Sequence, residues 1–200
     1  MKSYRPLAVV FIFSCFINCT SSKKNSGISK EIRIINRTVW LANEPRPYKQ
    51  HVPVRLTIHH EGTKLEYGED ATKKIKRIQV WGMGPDRNWV DIPYHFLISP
   101  DGSIYEGREV NTVGETNTEY DPTGHLLISC LGNLEEQEVT EPQLSSLIKL
   151  IAYTSKKYNL PLETLASHRD YSKQTTCPGK NLYKYLENGF LKTEAKKILK

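Results

Sequence analysis

Two histidines and one cysteine occupy the places in this sequence where chemistry is easiest to imagine. His59 ends the segment Val54-Arg55-Leu56-Thr57-Ile58-His59, which alternates apolar and polar residues with the period of a half-buried strand. Neighbouring strand residues point to opposite faces, so His59 and His60 cannot both aim into one groove. His59 shares the polar face with Arg55 and Thr57. Far downstream, His168 and Cys177 bracket the loop Arg169–Thr176, and Pro178-Gly179 turns the chain just after it. Two imidazoles and a thiolate suit Zn²⁺ and leave its fourth tetrahedral position open, as a catalytic site requires. Spacing alone leaves two other readings standing. The three can be satisfied core histidines and an inert buried thiol, or Cys177 can be a nucleophile with His168 as its base, which needs a low-pKa thiolate and an orienting partner.

The elements that would hold these residues are legible from pattern. Asp70 can cap a helix over about 71–81, with Ile75 and Ile78 on one face. Tyr94 to Ile98, bounded by Pro93 and Pro100, predicts a buried strand. The Asp101-Gly102 turn leads into Ser103–Glu106, and the two runs predict a hairpin. His125 to Leu131 predicts another strand, closed by Gly132-Asn133. Thr140, Pro142 and Gln143 mark a helix start, with Gln143 expected to complete a capping box. Leu144, Leu147, Ile148, Ile151 and Ala152 then trace one apolar stripe. The stretch 181–200 reads as helical, with Tyr185, Leu186, Leu191 and Ile198 as its apolar members. Strands mixed with helices and one hairpin point to an α/β or α+β sheet domain.

Several motifs, in one order, carry a resemblance. Leu56-Thr57-Ile58-His59-His60, the block from Trp89 to Arg108, Ile128–Asn133, Ser167-His168-Arg169-Asp170 and Thr176-Cys177-Pro178-Gly179 are together similar to the zinc-dependent N-acetylmuramoyl-L-alanine amidase family (amidase type 2). That family includes the T7 lysozyme-like enzymes and the peptidoglycan recognition proteins. Arg37–Ala42 resembles the segment preceding the domain in recognition proteins, and the likeness runs from about Ile34 to Tyr185. It implies an α/β fold with a central mixed β-sheet flanked by helices. It also implies His59, His168 and Cys177 as zinc ligands, Tyr94 as a hydroxyl beside the metal, and Thr175 as the residue that helps hold a developing oxyanion, with Lys173 as its rival. The implied reaction is hydrolysis of the bond between N-acetylmuramic acid and L-alanine, with peptidoglycan or muropeptides as substrate. Zinc lowers the pKa of a bound water from 15.7 to about 7. Members that lose the Cys bind peptidoglycan without cutting it, so a recognition protein is the second reading, and Cys177 speaks against it.

Three positions depart from the family pattern. Pro93 replaces a Gly, the step from His168 to Cys177 is long, and Glu61 replaces a Thr, with a solvated surface carboxylate as its expected state and a partner of the metal site or a base as the alternative. His60, His95 and His125 read as core or supporting residues, and Cys130 as a buried free thiol rather than a disulfide partner of Cys177. Trp81 and Trp89 read as groove lining or core packing.

The totals fit this picture. The chain has 200 residues, 38% of them hydrophobic, and a formal charge of +6. No run of Lys/Arg interleaved with aromatics suggests nucleic acid. Residues 1–19 have the charged start and short apolar core of a secretion signal. Ending at Cys19 and followed by a polar stretch, they resemble a bacterial lipoprotein signal, with Cys15 as the rival lipidation site. A flexible tether over 20–32 and one domain over 33–200 are therefore expected. The protein would be a monomer exported across the inner membrane and held at a membrane through Cys19, facing the periplasm.

Overall fold

A computed structural model describes residues 1 and 32–200. The signal segment, both candidate lipidation cysteines and the tether as far as residue 31 lie outside the described residues. Among the described residues no helix is long and apolar enough to cross a membrane.

Six strands form one mixed sheet: β1 (Ile34–Ile35), β2 (Arg55–His60), β3 (Phe96–Ile98), β4 (Ile104–Glu106), β5 (His125–Cys130) and β6 (Ala166–Ser167), in the order β1-β4-β3-β5-β2-β6. Only β3 and β4 pair antiparallel, as the Asp101-Gly102 turn demands; the other pairings are parallel. Five helices complete the domain: α1 (Ala71–Gly82), α2 (Glu141–Tyr158), α3 (His168–Tyr171), α4 (Lys180–Glu187) and α5 (Phe190–Leu199).

Side-chain alternation separates the two faces of the sheet. Leu56, Ile58, Phe96, Ile98, Leu126, Ile128 and Cys130 face a core completed by Leu147, Leu150 and Ile151 of α2, Leu182 of α4 and Leu191 of α5. The opposite face is divided. Leu97 and Tyr105 pack against Ile75 and Ile78 of α1 and against Trp40, whose indole Nε1 donates to the Glu106 carbonyl at 2.8 Å. Beside them, Thr57, His59 and Ser129 occupy the same face in register, and this is where the polar residues gather.

Local details refine the sequence expectations. Asp70 caps α1 by accepting from the backbone N–H groups of Thr72 and Lys73. Thr140 caps α2, but Gln143 does not complete a capping box. Its buried amide donates to the carbonyls of Ile98 and Leu131 at 2.9 and 3.0 Å, adding to the bond that the Ile98 carbonyl already accepts from the Leu131 N–H at 2.8 Å. Regular pairing of β3 begins at Phe96, two residues later than expected, leaving Tyr94 in the approach to the strand. The C-terminal helical stretch is two helices, broken at Gly189, whose φ of 71° ends one and starts the other.

Candidate metal centre

Two strand pairings explain how distant residues meet. In β2, alternation turns His59 to the polar face. On the far side of β2, Ser167 of β6 pairs with Ile58, so the next residue, His168, emerges beside His59. The Ser167 backbone N–H and hydroxyl both donate to Asp170 Oδ2 at 2.7 Å, starting α3 at His168. The loop then returns: the Arg169 N–H donates to the Cys177 carbonyl at 2.9 Å. Gly179 follows, with no room for a Cβ against the Leu134 backbone, which seats the Cys177 turn on the end of β5.

The result is a cluster of His59, His168 and Cys177, all buried, with one potential ligand atom from each lying within 4.8 Å of the others. Cys177 Sγ stands 3.6 Å from His59 Nδ1, and the His59 and His168 ring centroids are 4.7 Å apart. His59 Nε2 is buried without a hydrogen-bond partner among the described residues, so the chain does not itself use up this imidazole. Burial keeps both rings neutral: it holds His59 well below the usual histidine range and His168 at about 4, against a raising influence from Glu119. Two neutral imidazoles and one sulfur, close together and screened from water, are a fitting donor set for a zinc ion.

A cleft of about 340 Å³ opens on this cluster, and Trp89, Tyr94, Thr116, Thr118 and Thr175 are among its walls. Tyr94 lies over His59, with ring centroids 5.4 Å apart. Burial, followed by the nearby Cys177, raises its pKa, so its hydroxyl stays protonated and available to donate. Its backbone is pinned by Gly107, where a Cβ would collide with the Tyr94 carbonyl. Thr175 also lines the cleft, and its Oγ1 accepts from the Cys177 N–H at 3.0 Å. Lys173 is exposed, does not line the cleft, and gives its backbone N–H to Glu119.

A family model for N-acetylmuramoyl-L-alanine amidase matches residues 49–180. The chain belongs to that family. Peptidoglycan-recognition protein SC2 from Drosophila simulans is 32% identical over 156 residues, 76% of this chain and 83% of that protein. Among solved structures, the N-acetylmuramoyl-L-alanine amidase LysC from Clostridium intestinale is 28% identical, with a TM-score of 0.65 over 80% of this chain and 98% of its own. Peptidoglycan recognition protein-LE, solved in complex with tracheal cytotoxin, a monomeric diaminopimelic acid-type peptidoglycan, is 30% identical, with a TM-score of 0.69 over 78% of this chain and 92% of its own. The amidase family thus covers both cutting enzymes and recognition proteins.

Other sequence candidates fall where their surroundings put them. His95 is fully buried: its Nδ1 accepts from the Leu127 N–H at 2.8 Å and its Nε2 donates to the Thr112 carbonyl at 2.9 Å. His125 pairs with the Thr57 hydroxyl at 2.8 Å, and His60 accepts from the Leu134 N–H at 3.1 Å. Cys130 and Cys177 are free thiols. Trp89 lines the cleft, whereas Trp81 is half exposed and meets the Trp89 ring edge-to-face at 5.3 Å. Glu61 is a correction. It is not a solvated surface carboxylate but lines the cleft, largely buried, in a 2.9 Å ion pair with the buried Lys74. Lys74 lies four residues into the capped α1, and its stem packs across to the end of β2, which no local pattern announces. Sequence reasoning also missed the segment Glu115–Tyr120. Its short polar residues carry no periodicity, yet they touch His168 directly.

Proposed function

We propose that this chain is a zinc-dependent N-acetylmuramoyl-L-alanine amidase, hydrolysing the amide between N-acetylmuramic acid and L-alanine in peptidoglycan or muropeptides. The observation that carries the reading is the convergence of His59, His168 and Cys177 at the floor of a cleft. His59, His168 and Cys177 would hold the ion. When bound, Zn²⁺ supplies Lewis-acid polarisation of the amide carbonyl and brings the pKa of a water down to about 7.

The chain's own residues supply the rest. Tyr94, kept neutral by burial, donates its hydroxyl proton as a hydrogen bond to the carbonyl oxygen as negative charge grows there; one such donor is worth about 3 kcal/mol. Thr175, just before the Cys177 turn, offers a second hydroxyl that also lines the cleft. Burial pushes the Cys177 thiol up to about 12, so its thiolate needs a cation beside it; a zinc ion would supply one, whereas His168, held neutral at about 4, does not serve the cysteine-nucleophile reading.

The recognition reading draws on the family's recognition proteins, so the deciding experiment must separate cutting from binding. Purified protein is incubated with muropeptides, and mass spectrometry searches for stem peptides with a free L-alanine amine. Their appearance, and their loss when a zinc chelator is present, supports the amidase. Intact muropeptides retained on the protein would instead favour recognition. The N-terminal pattern supports export and lipid anchoring at Cys19, with the domain facing the periplasm. Labelling with a radioactive fatty acid should be lost in Cys19→Ser and kept in Cys15→Ser.

A further inference from the structure

The segment between β4 and β5 ties itself to the metal-site loop through successive residues. Glu115 accepts from the Val90 N–H at 3.0 Å and pairs with the buried Arg108. The Thr118 hydroxyl lies 2.7 Å from His168 Nε2, and the Thr116 hydroxyl lies 3.3 Å from the same nitrogen and 2.9 Å from Thr118 Oγ1. Glu119 accepts from the Ser172 hydroxyl at 2.5 Å and from the Lys173 N–H at 3.2 Å. The Tyr120 ring stands 5.0 Å from the His168 ring.

We infer that Thr118 is the positioning residue for His168: by accepting from Nε2–H, it commits Nδ1 to the metal. An imidazole that ligates through one nitrogen carries its proton on the other, and that N–H needs an acceptor to fix ring and tautomer. Thr118 supplies one, with Thr116 as a second arm, while Glu119 clamps the loop that follows His168. His59 has no such partner on its Nε2. The two imidazoles are therefore held by different means, His59 by its strand and His168 by a hydroxyl from a neighbouring loop.

The inference rests on the metal reading of the site but not on catalysis, so its test reads metal binding. Full-length wild type, Thr118→Val and Thr118→Ser are compared for zinc affinity by competition with a chromophoric chelator. Proton–nitrogen NMR of the zinc form reports the His168 ring. Loss of an outer partner of a ligand typically weakens metal affinity about 10–100-fold. That loss is expected for Thr118→Val, whereas Thr118→Ser, which restores the hydroxyl, should stay within about threefold of wild type. The wild-type zinc form should show a protected Nε2–H on His168. Unchanged affinity in Thr118→Val, equal weakening in both variants, or a proton found on Nδ1 would each overturn the inference. Wild-type protein that binds zinc without cutting muropeptides would sink the amidase reading alone, and the Thr118→Val deficit would still decide this one.

Discussion

One face of the sheet presents Leu56, Ile58, Leu126 and Ile128 to helices α2, α4 and α5; the other carries their immediate neighbours Thr57, His59 and Ser129, and there His59 lines a cleft. The same two strands build both surfaces, one residue out of phase. On the apolar face the energy lies in area removed from water and in close packing, so its residues can be exchanged for others of similar volume. On the cleft face it lies in the position of a few atoms, and a substitution that leaves the fold intact can still abolish the chemistry. The same alternation that makes the core fixes where His59 stands.

The largest break in that comparison should come from Cys177→Ala. It removes a metal donor from the cleft while leaving the apolar core alone, so muropeptide hydrolysis should fall to background with the thermal unfolding of the metal-free form little changed. The mirror experiment is Leu150→Ala on α2, in the other core. It should cost about 2–5 kcal/mol of stability in denaturant titrations and leave turnover per folded molecule unaltered. Tyr94→Phe sharpens the comparison inside the cleft. Zinc content should stay normal while the catalytic constant drops by about 3 kcal/mol of transition-state stabilisation, a factor of about 10².

Acid should act through the polar side of the sheet. Burial holds the neutral ring of His95 at a pKa of about 3, with the Thr112 carbonyl opposing the shift only in part. The unfolded chain takes up that proton near pH 6.5 while the folded chain refuses it, so the stabilising contribution is complete above 6.5 and is lost as pH falls toward 3. Each histidine so held adds a slope of about 1.4 kcal/mol per pH unit in that window. Denaturant titrations at pH 7 and pH 5 should show the decline, and His95→Gln should reduce it. The smallest expected effect lies at an exposed helix end. Asp70→Ala removes the cap of α1 and should cost about 1 kcal/mol, readable as a modest fall in the unfolding midpoint without change in zinc affinity.

How much of this was legible depended on whether a residue sits in a periodic element. The caps at Asp70 and Thr140, the stripe through Leu147 and Ile151, and the facing of His59 follow from periods of 3.6 and 2. His168 opens a single helical turn and Cys177 stands on a loop, where spacing gave no direction, and only the family motifs joined them to His59. What stayed hidden has a common cause. Thr118 reaching His168, Lys74 reaching Glu61, and Gln143 reaching the carbonyls of Ile98 and Leu131 are all contacts between different elements. Each is set by how segments pack, and a lone Thr, Lys or Gln in a polar run carries no mark of it.

The proposed amidase activity depends on a single zinc ion held by His59, His168 and Cys177. Its most direct test is to strip the purified protein with chelator, remove the chelator, and follow muropeptide hydrolysis as Zn²⁺ is returned in steps. Activity that vanishes on stripping and returns in proportion to bound metal, reaching its plateau at one ion per chain, is the predicted result. Hydrolysis that survives in the stripped protein, or its absence with the site fully loaded, would contradict it.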